Sequence, residues 1–296
     1  MATDLGRSGG LLRPRAARSL LSGIARARWL PAALGPLQAL VPGPRRNSFL
    51  VVALHLVNGG TGLPVDIDRS EFEELLDSIA EYADPVSLAD AMDGSESHAE
   101  ESNGGKLRFV LTVDDAFRNF SEEILPLLVE RDLPATLFVP VDFVEGARAA
   151  PLPCDLPALT WDELREIQSS GIIEIGSHTC AHLNLPGMKL NEIAEDLARA
   201  SETLSREMDR EISSFCYPRG LWSAAAAGVV GQFHETAVIG GGRWVQPSSV
   251  DRLRIPRFPA KSGCCHIFRS LLGSRVWLQE YVADKARHSL ARRGLY

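Results

Sequence analysis

From residue 107 onward, short β-rich apolar runs alternate with helical segments, and this alternation constrains the fold more than any other feature. Residues 107–113, 135–140, 172–177, 213–217, a run near 235–239 and 253–258 read as strands. Between them, 119–130, 190–208 and a run near 222–230 carry helical periodicity. Another helix opens at Thr160, where Glu163 three residues on completes a capping box, and Gly171 stops it. Upstream, 48–56 (SFLVVALHL) reads as a buried strand, and 70–82 as a helix through Phe72, Leu75, Leu76 and Ile79. The polar stretch 90–105 (DAMDGSESHAEESNGG) reads as a flexible loop, with His98 solvated in it. Strands separated by helices are βα units, so the expected class is α/β with a parallel sheet. Such sheets carry their chemistry where strands end. Asp114, His178 and Pro218 each fall just past an expected strand.

Charge then narrows the partners. The chain has a formal charge of -7, which leaves no general basic patch and argues against nucleic acid. Residues 1–47 hold eight arginines against the single acid Asp4, so this leader is +7 and the remainder -14. The leader reads as a disordered or packing extension, a peripheral membrane arm, or a targeting peptide. It shows no convincing signal peptide and no transmembrane run. The five cysteines (Cys154, Cys180, Cys216, Cys264, Cys265) are odd in number and irregularly spaced, which argues for reduced thiols and a cytoplasmic setting. Cys264 and Cys265 read as small packing residues, with a strained redox pair as the alternative. The expected organisation is a leader at 1–47, one catalytic body at 48–262 and a helical extension at 263–296.

Two constellations carry chemistry. Asp114 and Asp115 are adjacent at a strand end, where two carboxylates repel unless a cation or shared proton compensates. The plainer reading makes one a helix cap and leaves the other in water. His178 and His182 stand four apart in GSHTCAHLNL, a spacing that aims both imidazoles at one point, although structural histidines satisfy it as well. Thr179 rules out the HExxH arrangement. Together, one Asp and two His make three ligands with a position left for water, the pattern of a catalytic metal site. The other Asp is then free to act as general base.

These residues and their flanks resemble the polysaccharide deacetylase family (carbohydrate esterase family 4, the chitooligosaccharide deacetylase homology domain). LTVDDAF is similar to the family's first motif and SHTCAHLNL to its second. LPATLFVP, LTWDELREIQSSGIIEIGSH and SSFCYPRG follow in matching order, so the resemblance spans roughly 48–260. It implies a distorted (β/α) barrel with the site at the C-terminal ends of its strands. It assigns Asp114 as catalytic base and Asp115, His178 and His182 as ligands of a divalent metal, usually zinc. The third motif, Tyr217-Pro218-Arg219, would give an oxyanion-binding N–H at Arg219. A late histidine would serve as general acid, for which His266 is the candidate by order, with a structural histidine at a helix start as the alternative reading. Three departures stand out: Ala116 where glycine is usual, Cys216 where an arginine often orients the base, and Arg219 where an aromatic is common.

His55 in VALHLV resembles a family strand and is expected to pack or hydrogen-bond at the site floor. Trp244, in GGGRW, is the better candidate for stacking on a sugar ring, whereas Trp161 reads as scaffold. His234 reads as a surface residue, and His288 as a residue without a partner in a basic terminal helix. The implied function is metal-dependent removal of N-acetyl groups from an amino-sugar polysaccharide or oligosaccharide. The alternatives are hydrolysis of an O-acetyl ester or a non-sugar amide, or a non-catalytic glycan-binding relative.

Overall fold

The computed structural model describes residues 48–93 and 107–263. The leader, most of the polar stretch with His98, and the C-terminal extension with Cys264, Cys265, His266 and His288 lie outside them.

The strands are β1 (Phe49–Leu54), β2 (Leu56–Val57), β3 (Asp66–Ile67), β4 (Ala83–Pro85), β5 (Leu107–Val113), β6 (Ala135–Val139), β7 (Ile173–Ser177), β8 (Ser214–Cys216), β9 (Thr236–Gly240) and β10 (Ile255–Pro259). The helices are α1 (Arg69–Tyr82), α2 (Leu88–Asp93), α3 (Leu125–Glu130), α4 (Val141–Val144), α5 (Trp161–Ser169), α6 (Leu190–Met208) and α7 (Ala224–Val230). A parallel sheet runs β1-β10-β9-β8-β7-β6-β5 and closes on itself because β5 also pairs with β1. The result is a seven-stranded parallel barrel with helices outside, and β4 pairs with the start of β5. No helix among the described residues is long and apolar enough to cross a membrane.

Period-two alternation divides each strand between two layers. Val52, Leu54, Leu111, Val113, Leu137 and Ile175 face outward and pack under Phe72, Leu76, Leu164 and Leu204 of the helices. Val51, Val110, Phe138, Cys216, Val238 and Ile255 fill the interior, with Leu88, Ala91 and Met92 of α2 in the same cluster. Phe138 fits only because residue 176 is glycine: a Cβ there would stand 2.5 Å from its ring.

Local signals explain most elements. Thr160 caps α5, its Oγ1 accepting from Glu163 N–H at 3.2 Å while Glu163 accepts from Thr160 N–H at 2.7 Å. The helix expected at 119–130 begins as a wide π turn, in which Leu125 N–H reaches back five residues to Phe120 O. Pro126, next in line, has no N–H to tighten that turn. Residues 90–93 are helical, contrary to the expected loop. Ser87 Oγ accepts from Asp90 N–H at 3.0 Å, and Leu88, Ala91 and Met92 are buried, so the polar composition concealed a capped amphipathic turn.

Candidate active site

The site is built at the C-terminal edge of β5, β7, β8 and β10. Asp114 directly follows β5, and its N–H donates to Leu54 O at 2.9 Å, which ties it to the end of β1. The next two residues adopt left-handed conformations, Asp115 at φ 77 and Ala116 at φ 50. Ala116 therefore occupies the conformation a glycine would adopt freely, at a cost on the order of 1 kcal/mol. Its methyl is fully buried in the outer core, which offsets that strain. The turn sends two consecutive carboxylates to different partners.

Asp114 points at Arg257 of β10. Arg257 Nη1 donates to Asp114 Oδ1 at 2.7 Å and Nη2 to Oδ2 at 2.8 Å, with both residues 4% exposed. The guanidinium also donates to Thr112 Oγ1 at 2.9 Å and to Cys216 Sγ at 3.0 Å. Burial alone would push the Asp114 carboxyl up; Arg257, with smaller help from His55 and His178, holds it far below the usual carboxylate range. His55 Nε2 stands 3.7 Å from Asp114 Oδ2 and is partly open to solvent. The residue that orients Asp114 thus comes from the last barrel strand, and the small Cys216 leaves space for it. Sequence reasoning missed Arg257. The available signal was an arginine at an inward position of an otherwise apolar strand.

Asp115 points the other way. His178 Nε2 lies 3.5 Å and His182 Nε2 3.6 Å from Asp115 Oδ1. His178 Nδ1 is 2.7 Å from Cys216 O, so it donates there and Nε2 is the nitrogen that faces Asp115. Burial alone would push the His178 pKa down, but Cys216, Asp115 and Asp114 outweigh it and raise it. Burial and His178 push His182 down to about 4, so it is neutral at physiological pH. Burial also opposes ionisation of Asp115, but His178 and His182 outweigh it and lower its pKa.

The loop between the two histidines is fastened at several points. Asp196 of α6 accepts from Cys180 N–H at 2.9 Å and Ala181 N–H at 3.2 Å. The N–H groups of Val141 and Asp142 in α4 bind Thr179 O and Cys180 O. His182 N–H donates to Thr179 Oγ1 at 2.9 Å, and both residues sit in left-handed conformations. Cys180 packs in the outer core.

Among the described residues, two groups of ligand atoms are close enough to share an ion: Asp115, His178 and His182, or Asp114, His178 and Cys216. Both require His178, and Arg257 decides between them. Its guanidinium already neutralises Asp114 and touches Cys216 Sγ, so a second cation there would be repelled. In the first group, Asp115 Oδ1 is buried and accepts no hydrogen bond, although two imidazole nitrogens face it. A buried carboxylate oxygen with two imidazole nitrogens converging on it fits a divalent cation, which would take the place of the proton on His178.

The remaining expected residues are distributed unevenly. Pro218 and Arg219 form a turn at the end of β8, with Arg219 at φ 58 and its Nη1 donating to Asn184 Oδ1 at 3.0 Å. Tyr217 instead turns its ring out of the barrel to pack edge-on against Phe215, 5.0 Å between centroids, because its inward neighbour is Cys216. Trp244 packs half-buried against the outer core. The adjacent Val245 bridges to Phe49 at the start of β1, at the opposite end of the barrel from Asp114. Trp161 is likewise scaffold. His234 is buried, not on the surface: it bonds Ile212 O through Nδ1 at 3.0 Å and stacks on Phe215.

Residues 101–238 match the family model described as polysaccharide deacetylase. The fold is similar to that of a Streptococcus pyogenes deacetylase, PplD, solved in complex with acetate, with 16% identity, 78% of this chain and 99% of that one covered, and a TM-score of 0.64. IcaB from Ammonifex degensii is similar over 78% of this chain and 100% of that one, with 19% identity and a TM-score of 0.64. A de-N-acetylase from Aggregatibacter actinomycetemcomitans is similar over 72% and 95%, with 18% identity and a TM-score of 0.59. At these identities the likeness establishes the fold. No curated protein matches the chain.

Proposed function

Residues 101–238 belong to the polysaccharide deacetylase family, and from that premise we propose that the chain is a metal-dependent hydrolase removing N-acetyl groups from an amino-sugar polysaccharide or oligosaccharide. One observation carries the reading: two adjacent buried carboxylates are partitioned, Asp114 to an internal guanidinium and Asp115 to the Nε2 atoms of two imidazoles. Asp115, His178 and His182 are the residues that would hold the metal, with zinc the ion expected of such a donor set. When bound, a divalent cation supplies Lewis acidity, lowering the pKa of water and polarising an acetyl carbonyl.

The protein groups divide the remaining work. Arg257 takes one lone pair on each Asp114 oxygen and the Cys216 thiol donates to Oδ2 at 3.5 Å, so Asp114 stays anionic and oriented while Oδ1 keeps a lone pair able to accept a proton from the attacking water. An anion held so far below its usual pKa is a weak base, suited to a water that has already been acidified. His55, beside Asp114 Oδ2 and open to solvent, is a second group able to exchange a proton on that side. The backbone N–H of Arg219 is the donor proposed for the oxyanion formed by attack on the acetamide.

The test is to purify the protein, measure bound metal, and follow acetate release from N-acetylglucosamine oligomers with and without chelator. Stoichiometric divalent metal, chelator-sensitive release, and loss of release in Asp114→Asn are expected. Absence of metal binding, or full activity in His178→Ala, would overturn the assignment.

A further inference from the structure

We propose that Arg219 is a specificity-determining residue that selects glycans carrying a negative charge beside the acetamide to be cleaved; the inference rests on the deacetylase reading for its location. Arg219 lies at the rim, in the turn that follows β8. The turn cannot relax, because Gly220 packs on the β9 backbone so closely that a Cβ would stand 2.4 Å from Gly240 N. Arg219 itself is held at φ 58, a conformation that costs a non-glycine residue on the order of 1 kcal/mol. Its side chain is exposed, so core packing does not account for an arginine there.

Among the described residues its charge is uncompensated. Near the same barrel end, Arg257 pairs with Asp114, and Arg148 and Arg199 both pair with Asp142. Arg219 meets no carboxylate among the described residues; its one hydrogen bond is to neutral Asn184, two residues past His182. That bond uses Nη1 and fixes the plane of the guanidinium, leaving Nε and Nη2 as an open fork. Such a fork matches paired anionic oxygens, whether of a carboxylate or a phosphate. Leu183, 38% exposed between His182 and Asn184, adds an apolar surface for a sugar face. Outside the leader the chain carries -14, so attraction of an anion to this rim depends on local cations.

The experiment compares three ligands: an N-acetylglucosamine tetramer, an alternating N-acetylglucosamine–N-acetylmuramic acid oligomer bearing carboxylates, and UDP-N-acetylglucosamine bearing phosphates. Binding is measured by calorimetry and acetate release in parallel, for wild type, Arg219→Gln and Arg219→Lys. Wild type is expected to bind one anionic ligand about tenfold more tightly than the neutral one, the worth of a charge-assisted hydrogen bond. The ratio should fall to about one in Arg219→Gln and be intermediate in Arg219→Lys, which keeps the charge but loses the fork. Which anionic ligand gains separates carboxylate from phosphate recognition. Equal affinities in wild type, or a preference that survives Arg219→Gln, would overturn the proposal. Charge-selective binding with no acetate released from any ligand would support the role of Arg219 and sink the deacetylase reading instead.

Discussion

Asp114 and Asp115 share a peptide bond and almost the same burial, 4% and 1% exposed, yet their surroundings are opposites. On the Asp114 side both carboxylate oxygens receive guanidinium N–H groups, and the atoms without a partner are nitrogens, Arg257 Nε and His55 Nδ1. On the Asp115 side Oδ1 accepts nothing and faces two imidazole nitrogens. Taking a carboxylate out of water costs several kcal/mol. The fold offsets that cost for Asp114 with a fixed guanidinium and for Asp115 only with two imidazoles, which a metal ion can take over. A carboxylate with a built-in counterion is suited to handling a proton, whereas one short of a cation is suited to holding a metal.

The largest effects should follow from emptying the incomplete side. Asp115→Ala or His178→Ala should lose stoichiometric divalent metal, read by elemental analysis, together with on the order of 1000-fold in acetate release. Metal should also raise the melting temperature of wild type and leave that of Asp115→Ala unchanged, since a ligand at 100 times its Kd contributes about 2.7 kcal/mol. A wild type that melts identically with metal and with chelator would break the comparison.

Next in size is the self-contained side. Arg257→Ala strands a buried carboxylate and should cost about 3–5 kcal/mol in denaturant unfolding, with Arg257→Lys recovering part of it. The pH dependence has a definite sign. Because the folded pKa of Asp114 is depressed, the pair's contribution is fully present above the unfolded carboxyl value of about 4. It is lost as the pH falls below that value toward the lower folded one. The stability gap between wild type and Arg257→Ala should therefore hold above about pH 5 and narrow as the pH falls through about 4 and below. A constant gap would mean that Arg257 acts by packing alone.

A smaller effect concerns the loop that carries His182. Asp196→Ala removes the acceptor for Cys180 and Ala181 N–H and should weaken metal affinity about 10–100-fold, the usual scale for a group that orients a ligand. Unchanged affinity, by calorimetry with the metal alone, would show that the α4 contacts suffice.

What sequence could and could not show follows from distance along the chain. The four motif residues were legible because each pair is local: Asp114 and Asp115 are neighbours at the end of one strand, and four residues separate His178 from His182. Arg257 was not, because it meets Asp114 across 143 positions, and only barrel closure through β1 and β10 brings them together. The direction of Tyr217 was readable: with Cys216 inward, strand alternation turns residue 217 outward. Trp244 depended on the antiparallel bridge from Val245 to Phe49, which no local pattern announces.

The smallest effect is the most discriminating, because it touches one side of the site without touching either carboxylate. Thr112 Oγ1 accepts from Arg257 Nη1 at 2.9 Å and donates to Val52 O at 2.7 Å. Thr112→Val keeps the shape and removes the hydroxyl, so Arg257 Nη1 retains only Asp114 Oδ1. A buried polar partner lost in this way costs about 1–3 kcal/mol, and denaturant unfolding should register it. Metal content should be unchanged, because Thr112 contacts neither Asp115 nor the two histidines. If Thr112→Val also loses metal, the two sides are mechanically coupled through the turn at Asp115 and Ala116, and their apparent independence fails. If stability falls while metal affinity holds, adjacent carboxylates have been given separate supports, and each can be altered without the other.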